Sequence, residues 1–108
     1  MLAALAATAV LGVVFAQVAG AHTAGTPLIG SVAAGKTLFK AQGCGKCHTL
    51  AAAKSTGTIG PNLNKIKPSQ ALVAKQVTTG GGFMPSFGGT LKKAQIDDIA
   101  AYVYSSTH

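Results

Sequence analysis

The stretch Cys44-Gly45-Lys46-Cys47-His48, CGKCH, holds both cysteines of the 108-residue chain and one of its three histidines. Three chemistries use two cysteines at this spacing. A redox dithiol places Cys-x-x-Cys at the head of a helix that follows a strand, in a βαβ setting, and no alternation of apolar and polar residues suggests a strand in this chain. A structural zinc site needs four ligands in a tetrahedron. The adjacent Cys47 and His48 satisfy that poorly, and no second Cys/His pair follows them. Covalent haem attachment has Cys-x-x-Cys-His as its direct signature. Cysteines three apart lie about one helical turn apart, so both thiols can reach the vinyl groups on one porphyrin edge, and the next histidine can sit beneath the iron. Both thiols then become thioethers, and none is left for a disulfide.

Outward from the motif the chain divides into chemically different regions. Residues 2–21 contain no charge, and every charged side chain lies at Lys36 or later. The apolar run ends in Ala19-Gly20-Ala21, a small-residue pattern suited to signal-peptidase cleavage before His22. No Lys or Arg precedes the run, so the positive flank of a signal peptide is missing, and at ~20 residues it is long enough to span a bilayer. The expectation is a signal peptide or a membrane anchor over 1–21, with the remainder extracytoplasmic in either case. Residues 22–30, HTAGTPLIG, are rich in small residues and turn formers and read as a linker.

The length suits one domain, and a domain so small gains from any extra source of buried apolar mass. The chain has nine lysines, no arginine and only Asp97 and Asp98 as acids, for a net charge of +7. Such an excess favours acidic redox proteins or membrane complexes as partners. Nucleic acid is disfavoured, because arginine is absent, aromatics are sparse and the lysines are scattered.

The elements expected from pattern are helical throughout. Ser31 offers an N-cap to a helix carrying Val32, Gly35, Leu38 and Phe39, closed by Gly43 before the motif. Residues 51–67 read as loop, with Leu63 and Ile66 able to share one face of a short turn. A second helix fits 70–79, with Ser69 as N-cap and Gly80 as stop. Residues 80–89, GGGFMPSFGG, hold too many glycines for regular structure. The last helix runs from about Lys92 to Ser105 with Ile96, Ile99 and Val103 as its apolar face, and Asp97 and Asp98 near its start suit the macrodipole.

Met84 lies in that glycine-rich loop between Phe83 and Pro85, where filling a core is a poor explanation, and the only other methionine is Met1. A thioether from such a loop can reach the far face of a haem. His22 and His108 read as spectators.

Over residues 31–106 the chain resembles the small class I c-type cytochromes, notably bacterial and photosynthetic ones. Cys44, Cys47 and His48 match the attachment motif, Gly60-Pro61-Asn62-Leu63 the Gly-Pro-x-Leu loop, and Met84-Pro85 the sixth-ligand loop. Gly35 and Phe39 match the first-helix positions that cross a C-terminal aromatic, here Tyr102, and IDDIAAYV is similar to the closing helix. The resemblance implies an all-α cytochrome c fold over 31–108, of about three to five helices wrapped around one covalent haem c; the apolar run ahead of it is expected to form an N-terminal helix. It implies His48 and Met84 as iron ligands, the Pro61 carbonyl as acceptor for the second ring nitrogen of His48, and Leu63 and Phe83 in the haem pocket.

Closure of the iron by His and Met implies a one-electron carrier rather than an enzyme; with the apolar run placing it outside the cytoplasm, the expectation is a monomer shuttling electrons between membrane-associated redox complexes. Lys36, Lys40, Lys46 and Lys54 would steer its acidic partners, and residues 2–21 could touch the membrane. The alternatives are a haem enzyme or gas sensor with a labile sixth ligand, or a tethered cytochrome subunit of one oxidase or dehydrogenase complex. No catalytic carboxylate pair, nucleophile–base constellation or phosphate loop is present in the sequence.

Overall fold

The computed structural model describes residues 27–108, and residues 9, 12 and 13 besides. The expected N-terminal helix over 2–21 and the cleavage position before His22 otherwise lie outside the described residues. Among those residues no helix is long and apolar enough to cross a membrane.

Among the described residues four α-helices carry the fold: α1 (Val32–Ala41), α2 (Leu63–Ile66), α3 (Gln70–Thr79) and α4 (Lys93–Thr107). Two caps expected from sequence are in place. The Ser31 hydroxyl accepts from the Ala34 N–H at 3.2 Å, and the Ser69 hydroxyl accepts from the Leu72 N–H at 3.1 Å, each satisfying a donor that the helix start leaves free. Gly80 ends α3 with φ 63°, a conformation that costs a glycine little. The one-turn α2 gives form to the apolar face of Leu63 and Ile66, and Asn62 caps it by accepting from the Lys65 N–H at 3.3 Å.

Two expectations need correction. The loop after the motif contains a minimal antiparallel hairpin, β1 (Thr49–Leu50) paired with β2 (Ser55–Thr56). Two residues per strand are too few to show alternation. Asp97 and Asp98 do not serve the start of α4, because the helix begins at Lys93 and its first turn holds no acid. Asp97 instead pairs with Lys93 at 2.7 Å. Asp98 accepts from the Ser31 N–H at 2.7 Å, and so ties the start of α1 to α4. The start of α4 is served by Gln95, whose side-chain oxygen accepts from the Lys92 N–H at 2.9 Å.

Helices α1 and α4 cross in close contact at Gly35. A Cβ at Gly35 would collide with the Asp98 carbonyl and the Tyr102 Cβ, so only a glycine lets the two backbones approach this far. Phe39 meets Tyr102 edge to face, with ring centroids 5.6 Å apart at 68°, a favoured aromatic geometry. Helix α3 packs on α4 from the other side, and Phe39, Leu50, Leu63, Val73, Val77, Ile96, Ile99, Ala100, Tyr102 and Val103 form one continuous core. Each large aliphatic side chain buried there contributes about 1.5–3 kcal/mol relative to exposure. The linker end is also fixed: Gln70 accepts from the Ile29 N–H at 2.8 Å and donates to the Pro27 carbonyl at 3.2 Å.

Candidate haem site

The CGKCH stretch leaves α1 through Gly43, whose φ of 72° reverses the chain. It forms a short 3-10 turn over Cys44–Lys46. The Cys44 carbonyl accepts from the N–H groups of both Cys47 (3.2 Å) and His48 (3.0 Å). This turn sets the two thiols and the imidazole against one cavity of about 740 Å³, a size common for small-molecule and cofactor sites. Cys44 and Cys47 are unpaired. Burial pushes the Cys44 thiol up to about 11, outweighing a backbone hydrogen bond that lowers it, while neighbouring Cys47 adds to the rise. A redox dithiol has a depressed thiol, so this site is poorly suited to that chemistry. Zinc fares no better: among the described residues no group of three or more His, Cys, Asp or Glu side chains is placed to hold a metal ion.

The hairpin braces the motif from behind. Ser55 donates from Oγ to the His48 carbonyl at 2.9 Å and accepts from the Leu50 N–H at 3.1 Å. Thr49 donates to the Gly57 carbonyl at 2.9 Å, and the Gly60 N–H donates to the Cys47 carbonyl at 2.8 Å. Gly57 lies against the backbone of Lys46 and Cys47, where a Cβ would come within 2.6 Å. Ser55 and Gly57 therefore shape the site, although AAAKSTGTI (51–59) offers no motif that would single them out.

The ring of His48 is held on two sides. Its Nδ1 lies 2.8 Å from the Pro61 carbonyl oxygen. A carbonyl can only accept, so Nδ1 carries the proton and Nε2 is left as the free lone pair. Gly60 supplies the clearance, since a Cβ there would lie 2.5 Å from the imidazole Cε1.

Met84 reaches the same cavity from the glycine-rich loop. Gly81 and Met84 exchange backbone hydrogen bonds at 3.0 and 2.9 Å, and Gly80, Gly81 and Gly82 all have positive φ. The return path is pinned to the end of α3: the Phe87 N–H donates to the Val77 carbonyl at 2.9 Å, and Ser86 Oγ to the Thr78 carbonyl at 2.7 Å. Met84 is half-buried.

Leu63 is buried on the cavity wall and belongs also to the core. Phe83 borders the cavity but is 90 % exposed, so it stands at the mouth rather than within the wall. Ile59, Ile66 and Leu72 share that exposed rim. Ile59 and Leu72 escape sequence reading because an isolated aliphatic residue in a loop or on a helix surface carries no signal of its own. His108 lies at the end of α4, stacked on Tyr104 with centroids 3.9 Å apart, and does not line the cavity; His22 lies outside the described residues.

The donor set fits haem: two unpaired thiols one turn apart, an imidazole oriented by its second nitrogen and a thioether share one mostly apolar cavity. A small helical fold so equipped defines a protein built around covalent haem. Residues 30–103 match the family model described as Cytochrome C oxidase, cbb3-type, subunit III. A cytochrome c6 from Limnospira maxima is 39% identical over 82 residues, covering 68% of this chain and 91% of that protein. One from Rippkaea orientalis is 37% identical over 81 residues, covering 70% and 71%. The crystal structure of the c-type cytochrome SorU from Sinorhizobium meliloti superimposes with a TM-score of 0.64 at 38% identity, covering 70% of this chain and 90% of that one. The chain belongs to the small monohaem c-type cytochromes: it carries one covalently bound haem c, and it is an electron-carrier cytochrome.

Proposed function

We propose that this cytochrome is a monomeric, extracytoplasmic one-electron carrier between membrane-associated redox complexes, with Cys44 and Cys47 as the thioether residues and His48 and Met84 as the iron ligands. The observation that carries the reading is the convergence of His48, oriented by Pro61, and Met84 on one cavity. Haem supplies reversible one-electron chemistry at its iron. The chain's own residues do the rest. Pro61 fixes the His48 tautomer and, by accepting from Nδ1, makes Nε2 a better donor. Met84 brings a soft thioether from a loop already folded back onto α3, an arrangement that raises the reduction potential. Leu63, Val73, Val77 and Ile99 keep water from the cavity wall.

Lys46 stands inside the attachment motif and lines the cavity, and with Lys36, Lys40 and Lys54 it favours acidic redox partners. Encounters of this kind are fast, weak and salt-sensitive. The charge-free run 2–21 supports export, by cleavage or as a retained anchor that touches the membrane.

The test is potentiometric titration of protein matured with haem, wild type beside Met84→Ala. The expected result is a reversible one-electron curve for the wild type and a lower potential for Met84→Ala; superimposable curves would refute the assignment of Met84.

The family model's description favours a second reading, a cytochrome subunit held in one oxidase complex. Affinity purification of the full chain from membranes separates the two: stoichiometric recovery with oxidase subunits supports the subunit, and recovery alone supports the shuttle.

A further inference from the structure

A second cleft lies beside the haem cavity, between α1, the attachment turn and the hairpin. Its volume is about 430 Å³, and Lys36, Lys40, Lys46, Lys54, Ser55 and Tyr102 are among the residues that line it. We propose that this cleft binds a small multivalent oxyanion of the phosphate class, held by the four ammonium groups and the Tyr102 hydroxyl.

Charge is the first ground. Four of the nine lysines converge here, and the chain has only two acids to set against them. Neither acid lines the cleft: Asp97 is engaged by Lys93, and Asp98 by the Ser31 N–H. Lys46 lies back across Gly43, its Nζ 3.8 Å from the position a Cβ would take there. Gathered ammonium groups repel one another, and an external anion relieves that repulsion. A tetrahedral oxyanion has enough acceptor oxygens to serve several lysines at once, and lysine binds phosphate as a point charge.

The Tyr102 hydroxyl is the second and independent ground. Tyr102 is only 4 % exposed, and its hydroxyl has no hydrogen-bond partner among the described residues. A buried hydroxyl is ordinarily paired. Packing does not explain its presence, because the Cβ of Tyr102 meets Gly35 and its ring meets Phe39, and phenylalanine would make both contacts equally well. Ser55 cannot substitute for it, since its own proton goes to the His48 carbonyl. Tyr102 is thus the uncommitted hydroxyl donor of the cleft. Its hydroxyl oxygen is fully buried, so binding requires a small shift of the cleft lining to reach it.

Lys46 lines both this cleft and the haem cavity. An anion held here lowers the positive charge at the cavity mouth and slows association with acidic partners. That consequence rests on the proposed electron-carrier function, whereas the binding itself does not.

The test is calorimetric titration of the haem-loaded protein with pyrophosphate, at ionic strength held constant with sodium chloride. The expected result is saturable one-to-one binding. Lys40→Gln and Lys54→Gln each weaken it about tenfold, the loss of one charge-assisted hydrogen bond. Tyr102→Phe weakens it about threefold or more, with a melting temperature equal to or above that of the wild type. Lys65→Gln and Lys75→Gln, outside the cleft, leave it unchanged. The exposed lysine variants carry the test even if Tyr102→Phe fails to fold. Absence of binding beyond the chloride control overturns the proposal. So does equal weakening by Lys75→Gln, which would mean diffuse attraction, or unchanged binding by Tyr102→Phe. Capture of polyglutamate without capture of pyrophosphate also overturns it, and would make the cleft a protein-docking surface.

Discussion

His48 donates from Nδ1 to the carbonyl oxygen of Pro61 at 2.8 Å, and Gly60 lies close against the same ring. The imidazole is therefore fixed in tautomer and in plane before any ligand bond is made. A methyl group at Gly60 would stand 2.5 Å from Cε1, so Gly60→Ala must displace either the ring or the Pro61 loop. Overpacking of this kind costs about 1–3 kcal/mol. The expected outcome is a lower melting temperature together with an altered Soret band, because the strain falls on the proposed iron ligand. A normal spectrum in a destabilised protein would show that the loop alone gives way.

Ser55 acts on the same histidine through its backbone. Its hydroxyl bridges the His48 carbonyl and the Leu50 N–H. Ser55→Ala leaves both without that partner in a half-buried hairpin, at a cost of about 1–3 kcal/mol. Denaturant unfolding should show the loss with haem attachment intact, and an unchanged midpoint would remove the hairpin from the list of structural supports.

Gly35 tests the helix crossing. Any side chain there meets the Asp98 carbonyl and the Tyr102 Cβ, so Gly35→Val should separate α1 from α4. Part of the Phe39–Tyr102 contact goes with it, and the loss should reach about 3 kcal/mol or more. The yield of folded holoprotein and its thermal melt read this directly. A variant as stable as the wild type would mean that the two helices tolerate separation.

Electron exchange with an acidic redox partner should slow as salt rises. Screening shortens from ~30 Å at 0.01 M to ~10 Å at 0.1 M ionic strength, and steering by a charged face is worth about 10–10³ in association rate. Stopped-flow kinetics across that range should show a monotonic fall, smaller in Lys46→Gln. A flat profile would assign the lysines to solubility rather than docking.

Much of this site is legible in the sequence, because its chemistry resides in short, ordered motifs. CGKCH sets two thiols and an imidazole on one turn, Gly60-Pro61 supplies the acceptor, and Ser31 and Ser69 mark helix starts by local hydrogen bonding. What escapes reading is nonlocal. Ser55 and Gly57 matter only because a two-residue hairpin folds them under the motif. Asp98 resembles a residue serving the helix dipole until the fold brings Ser31 to it. Phe83 looks like a pocket residue by position, yet it stands at the mouth because positive φ at three consecutive glycines carries the loop outward. Periodicity reports which face of an element is apolar and says little about where a glycine-rich loop points.

The central claim is that His48 and Met84 close the iron from both sides. The most direct measurement is the absorption spectrum of the reduced, haem-loaded protein with and without carbon monoxide. The expected result is a c-type spectrum with no vinyl absorption, unchanged by the gas, and a Met84→Ala variant that binds it. Ready binding of carbon monoxide by the wild type would contradict the role given to Met84 and turn the protein toward gas sensing or catalysis. Haem lost on acid extraction would contradict the attachment through Cys44 and Cys47.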